Sequence, residues 1–215
     1  GIVIGSLDVL FLAFVLIQIR YLFGGAAIVA SSTQLTYAEY ARRGFFELVT
    51  VAALVLPLLL IADWLGRGRP TTYQHLFRGL AGALVVLLFV VMASAGQRMR
   101  LYQTEFGLTE LRLYTSAFMG WLAVVFVWFL AAVLPGRRQH FAFGALIAGF
   151  VAVVALNALN PDALIVRVNA GRVAEGRPLD GAYIASLSAD AVPSLIGSLP
   201  LLPEAERSQI ASRIL

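Results

Sequence analysis

The sequence predicts an all-α chain: an integral membrane bundle of about five transmembrane helices with a small C-terminal helical tail. Three observations carry that prediction. Sixty per cent of the 215 residues are hydrophobic and only 13% are charged, where a soluble domain carries about a quarter. Five apolar segments are each long enough to cross about 30 Å of hydrocarbon, which takes roughly 20 helical residues. The apolar runs, such as "ALVVLLFVVMA", lack the alternation of a transmembrane β-barrel, and a spanning helix satisfies its own backbone.

The chain opens with "GIVIGSLDVLF", inside an apolar run and without Met, so it reads as part of a longer chain. A signal peptide is a poor fit, because its basic start and small-residue cleavage site are missing. The first span, Ile2–Phe23, carries Asp8 and Gln18. The connection 24–43 then leads into the span through "TYAEYARRGFFE" (36–47), where Thr36 and Glu39 form the T-x-x-E pattern of a capping box. A helix is therefore expected to begin at Thr36 and run unbroken into the second span, Phe45–Trp64. Glu39, Arg43 and Glu47 are spaced i, i+4, i+8 and share a stripe, with Gly44 beside it. Glu47 sits a turn inside the apolar segment, where a carboxylate costs a few kcal/mol and faces a partner or a wet cavity. Pro57, mid-helix, predicts a kink.

"LGRGRPTTYQHL" (65–76) and "PGRRQH" (135–140) read as plain turns. They frame the third span, Phe77–Gly96, the fourth, Ser116–Leu134, and the fifth, Phe141–Leu159. The third and fourth are separated by a longer polar connection, 97–115. There Arg98, Tyr102 and Glu105 share one helical stripe, Glu110 and Tyr114 another, and Gly107 breaks the helix into a re-entrant or surface hairpin. Residues 1–159 thus form the bundle. Residues 160–215 form a tail of three or four short helices on one membrane face. The tail opens with "NPDALIVRVNAGRVAEG", whose Asn-Pro-acid start suits a helix N-terminus.

The polar residues with a choice of roles are Glu39, Arg42, Arg43, Glu47, Arg98, Arg100, Glu105, Glu110 and Arg112. Two readings compete for them. As a collar, Tyr sits at the headgroups, Arg snorkels to the phosphates and Glu neutralises Arg. As a site, the guanidiniums hold an anionic headgroup or face a partner.

Several classes of chemistry find no support. Without cysteine there are no disulfides and no thiolate metal sites. His75 and His140 lack nearby carboxylates, so no metal is expected. No G-x-S-x-G, H-E-x-x-H or phosphate-binding loop occurs, and no cofactor or catalytic residue is expected. The net charge is +4, and all sixteen basic residues are arginine. That balance suits anionic lipid and requires no nucleic acid.

"TYAEYARRGFFELV", "QRMRLYQTEFGLTELRLY", "NPDALIVRVNAGR" and "LDGAYIASLSADAVPSL" occur in that order over most of residues 36–198. Together they resemble the polar blocks of the bacterial multi-pass membrane proteins called domain of unknown function 4173. The resemblance implies further spans ahead of residue 1 and a bacterial cytoplasmic membrane. It implies no activity, substrate or cofactor.

Three functions remain. The first is a non-enzymatic subunit or scaffold of a larger membrane assembly, with the bilayer and other membrane or membrane-associated subunits as partners. The second is a transporter or channel, motivated by Asp8, Gln18, Glu47 and Pro57, although the paired broken helices and repeats of transporters are not seen. The third is an interfacial enzyme or binder of anionic lipid headgroups, using Arg42, Arg43, Arg98 and Arg100 as a cradle and Glu39 or Glu105 as base. Arginines near span ends favour the long-connection and tail face as cytoplasmic: Arg20, Arg42, Arg43, Arg98, Arg100, Arg112, Arg167, Arg172 and Arg177, against Arg67, Arg69, Arg78, Arg137 and Arg138.

Overall fold

The structure, a computed structural model, describes residues 2–29, 37–66, 68, 70–173, 175–202, 204, 207 and 208. Within the first two helices it describes the side chains of residues 2–13, 15, 16 and those from 49 onward. Five long helices come first: α1 (Ile2–Val29), α2 (Tyr37–Leu65), α3 (Thr71–Phe106), α4 (Glu110–Ala132) and α5 (Phe141–Leu159). Three short ones follow: α6 (Pro161–Val173), α7 (Gly181–Ile184) and α8 (Val192–Ser198). Single 3₁₀ turns occupy Arg138–His140, Ala189–Ala191 and Leu199–Leu201. No strand occurs among the described residues.

Three helical stretches, Thr71–Phe106, Glu110–Ala132 and Arg138–Leu159, are long and apolar enough to cross a membrane. Five were expected. The shortfall lies in α1 and α2, whose described apolar stretches, Ile2–Ala13 and Val49–Leu65, have between 10 and 17 residues. That is less than the roughly 20 a span requires.

Helix boundaries follow local chemistry. α2 is one helix from Tyr37 through Pro57 to Leu65, so Glu39, Arg43 and Glu47 share it as the stripe predicts. Thr36, the expected cap, lies outside the described residues. The polar connection between the third and fourth spans contracts to three residues. α3 continues through "QRMRLYQTEF", which is built of good helix formers without Pro. It stops at Gly107, whose φ of +76° is the left-handed conformation that ends helices. α4 begins at Glu110. The segment is thus the end of one helix and the start of the next, not a separate re-entrant or surface hairpin.

The chain divides into two compact units. The first is Gly1–Arg100 with Phe118–Gly149. Its core follows the 3–4 spacing of buried helix faces: Leu84, Val85, Leu88 and Val91 on α3, with Leu122, Val125, Phe126 and Phe129 on α4, are all almost fully buried. Phe89 and Phe126 meet edge to face, with ring centroids 6.5 Å apart. Phe129 and Phe141 do likewise at 6.0 Å. The second unit is Leu101–Ala117 with Phe150–Leu215. There α6 packs against α8 and the 3₁₀ turns around a small core of Val166, Ala170, Ile184, Ala191, Leu195 and Leu202.

α4 and α5 approach through tryptophan against glycine. A Cβ on Gly144 would overlap the Trp128 indole, and one on Gly149 would lie 3.4 Å from Trp121 Nε1. Close backbone approach over small residues is how helices associate where lipid supplies no hydrophobic drive. The rest of α5 is uncovered. None of its most apolar stretch is buried, and Phe143, Leu146 and Phe150 are each about 70% exposed (68%, 71% and 69%). A soluble monomer rarely shows so continuous an apolar surface.

Gly144→Ala should therefore destabilise the bundle by about 1–3 kcal/mol, the usual cost of overpacking. Gly82→Ala serves as the control, since nothing lies within 4 Å of a Cβ there. Thermal melts of the two variants in one detergent check it: a depressed midpoint is expected for G144A, and equal midpoints would contradict the packing.

Candidate functional site

The densest polar chemistry among the described residues surrounds the α3–α4 turn, Gly107-Leu108-Thr109, in the second unit. Helix ends explain why it gathers there. The last carbonyls of α3 and the first amides of α4 have no partner within their own helices. Gly107 N–H closes α3 onto Gln103 O at 2.8 Å, and Leu113 N–H bonds Thr109 O at 2.9 Å. Side chains meet several of the others.

Asn169 supplies the central contact. It lies on α6 and is 6% exposed. Leu108 N–H donates to its Oδ1 at 2.8 Å, while its Nδ2 donates to Leu108 O at 2.7 Å. One amide thus pairs both backbone groups of a buried residue, as a neighbouring strand would. Three residues further on, Arg172 Nη2 donates to Thr104 O and Glu105 O, both at 2.9 Å. From the other side Arg112 Nη1 donates to Phe106 O at 3.1 Å and to Gly107 O. The Arg112 guanidinium also stacks 4.1 Å above the Tyr102 ring, a cation–π contact. At the head of α4, Glu110 N–H donates to Tyr183 Oη at 2.9 Å. Arg177 pairs with Glu105 at 2.7 Å, an exposed bridge that contributes little alone.

Three guanidiniums therefore meet the C-terminal end of α3, where the helix dipole is negative. Burial pulls the Arg172 pKa down, and the like charge of Arg177 adds to the effect, opposed by Glu105 and Glu175. Burial pushes the Tyr183 hydroxyl up, against the opposing bond from the Glu110 amide. Gly107 is fixed twice over. Its φ is positive, and a Cβ would collide with Asn169 Oδ1 and Arg172 Nη1.

The start of α6 is also tied down. Asn160, in a left-handed conformation with φ of 48°, caps the helix by accepting Ala163 N–H at 3.2 Å. Buried Asp162 accepts Ser188 N–H at 3.1 Å. A cleft of about 420 Å³ opens nearby, with the carboxylates of Glu110, Asp162 and Asp190 on its walls. Among the described residues no group of His, Cys, Asp or Glu is placed to hold a metal ion.

Of the residues singled out from sequence, Glu105, Glu110 and Arg112 come together at this turn. Arg98 and Arg100 fall in the first unit and make contacts of their own. The side chains of Glu39, Arg42, Arg43 and Glu47 lie outside the described residues. Sequence reasoning missed Asn169, Arg172, Arg177 and Tyr183. Their signal was modest: Asn169 and Arg172 stand i, i+3 on a short helix that also carries Asp162 and Arg167. It also missed Asp63, buried at 5% exposure and paired with Arg138 at 2.8 Å. In α1, both carboxylate oxygens of Asp8 are closed to solvent and have no hydrogen-bond partner among the described residues.

Asn169→Ala should leave two buried backbone groups of Leu108 without partners, a loss of about 2–4 kcal/mol. Asn157→Ala, which removes an exposed amide bonded, among the described residues, to Val153 O in its own helix, should be nearly neutral. Chemical denaturation in detergent would separate the two, and equal midpoints would contradict a structural role for Asn169.

No curated protein and no solved structure matches the chain. A family model does, over residues 1–197. Its number is 4153, where the four polar motifs resemble 4173, so those motifs lead to an uncharacterised family but to the wrong number. The match covers most of the chain, apolar helices included, and the chain belongs to the family described as a domain of unknown function, DUF4153.

Proposed function

We propose that the chain is a multi-pass protein of the bacterial cytoplasmic membrane, with five spans, acting as a non-enzymatic subunit or scaffold of a larger membrane assembly. One observation carries the reading: Asn169, Arg172 and Arg112, the polar side chains best placed for chemistry, are spent on backbone groups of the α3–α4 turn. A reactive site needs donors and acceptors left open to a substrate. This cluster instead fastens helices to one another, as a scaffold requires. The uncovered apolar surface of α5 supports burial in lipid or against another membrane subunit. α1 and α2, 28 and 29 residues long, are each long enough as helices to complete five spans.

In this reading residues 160–215 form a helical cap on one membrane face, in company with the α3–α4 turn. The arginine count near span ends assigns that face to the cytoplasm, where soluble partners could reach it.

Extraction from native membranes in several mild detergents should yield the chain in a complex larger than its own 23.2 kDa. A clean monomer in every one of them would sink the assembly reading. For orientation, alkaline phosphatase fused after Leu215 should be inactive. An active fusion places the tail outside.

A further inference from the structure

α8 and the 3₁₀ turn after it, Leu199–Leu201, present two faces. Ala191, Leu195, Ser198 and Leu202 are buried. Their spacing is the i, i+4, i+7, i+11 stripe of a helix, and Ala191, Leu195 and Leu202 belong to the small core of the second unit. A second stripe is exposed: Pro193, Ile196, Gly197, Pro200 and Leu201. Ile196 and Leu201 stand 57% and 56% exposed. The outer face of a helix in water is ordinarily polar or charged. None of these five side chains is polar, and residues 191–203 contain no charged residue. The segment is as apolar outside as inside, the pattern of a helix covered on both faces.

What covers the outer face follows from where the segment is held. Ser188 N–H donates to Asp162 at 3.1 Å, and Asn160 Nδ2 reaches Asp190 O at 3.5 Å. Asn160 is the single residue between α5 and α6, so the entry to α8 is fastened at the end of α5. A wall of bare hydrocarbon stops there: Phe150, Val153, Val154 and Leu159 are 69%, 56%, 49% and 53% exposed. In the membrane reading proposed above, on which this inference rests, the end of α5 marks the bilayer boundary. Ile196 lies six residues past Asp190, about 9 Å along a helix. An interfacial helix sinks its apolar face about 5–10 Å into that boundary, so the bilayer is within reach.

We propose that the face of Pro193, Ile196, Gly197, Pro200 and Leu201 lies in the bilayer surface, against the acyl chains just below the headgroups. The tail is then held to lipid by its own far end as well as through α5. Protein partners are gripped mainly through Trp, Tyr and Arg. This face offers aliphatic side chains, Pro and Gly, which suit hydrocarbon. No charge lies between Asp190 and Glu204, so the attachment is apolar burial and is indifferent to the charge of the lipid.

The chain has no cysteine, so a single introduced cysteine can carry a nitroxide spin label at one known place. The full chain is reconstituted in phosphatidylcholine vesicles and labelled at Ile196→Cys, Leu201→Cys, Phe150→Cys or Glu175→Cys. Power saturation then compares collisions with oxygen, which concentrates in hydrocarbon, and with a water-soluble nickel chelate. Phe150 reports the span, and Glu175, exposed in the turn after α6, reports water. The ratio of oxygen to nickel collisions at Ile196 and Leu201 should exceed that at Glu175 severalfold, with or without phosphatidylglycerol. A water-like ratio at either position, with Phe150 in hydrocarbon, overturns this inference alone. Weak collisions with both reagents mean that protein covers the face, and overturn it too. So does a ratio that rises only when phosphatidylglycerol is added, since charge would then hold the segment. A water-like ratio at Phe150 overturns the membrane reading itself, and this inference with it.

Discussion

Where α3 ends and α4 begins, up to four carbonyls and four amides lose their helical partners within a few residues. The turn is too short to fold back and satisfy them, and water would have to do so if nothing else did. Much of the second unit answers that constraint. α6 brings Asn169 to Leu108 and Arg172 to Thr104 and Glu105. The chain before α7 brings Arg177 to Glu105, and α7 brings Tyr183 to Glu110. The small core of Val166, Ala170, Ile184 and Leu195 then holds those donors and acceptors in place. The apolar contacts supply cohesion, and the polar ones fix register.

The first unit is organised by different physics. The buried faces described there are mostly apolar, and shape decides what meets what. Tryptophans on α4 rest on glycines of α5, and phenylalanines stack edge to face across helices. A charged contact stands among them, between buried Asp63 and Arg138. Such a pair is weak evidence of net stability, because desolvation cancels much of its attraction. Its value is positional, since it joins two turns that the apolar packing alone would leave free to slide.

Much of the helical layout was legible. The α5 bounds, Phe141–Leu159, coincide with the fifth apolar segment, because that helix is apolar throughout and begins after a turn rich in Gly and Arg. The continuity of α2 from Tyr37 into its apolar stretch followed from a polar run without Gly or Pro before Gly44, while the cap expected at Thr36 lies outside the described residues. The 97–115 segment was read as helical stripes broken at Gly107, and the break is there; the error was to make its halves a separate hairpin, when a polar run of good helix formers simply extends α3 and opens α4. The polar cluster itself could not be read. Asn169 and Leu108 are 61 positions apart, and nothing local to either announces the other. Arg112 was visible as a charge, but its partners are carbonyls freed by a helix end that had first to be located. Asp63 carried a local signal that went unused: an acid in the last turn of an apolar helix asks for a cation.

The dependence of the α3–α4 turn on α6 and α7 has a consequence in time. The chain is made from its N-terminus, and residues 104–110 leave the ribosome long before Asn169, Arg172 and Tyr183 exist. During that interval the hairpin is complete in length but open at its bend. Its loose carbonyls and amides are tolerable only in contact with water. The bend must therefore wait in an aqueous compartment until residues up to Tyr183 have been synthesised and folded back over it. Biosynthesis of this hairpin thus has two stages, a wet one set by translation and a sealed one set by the tail.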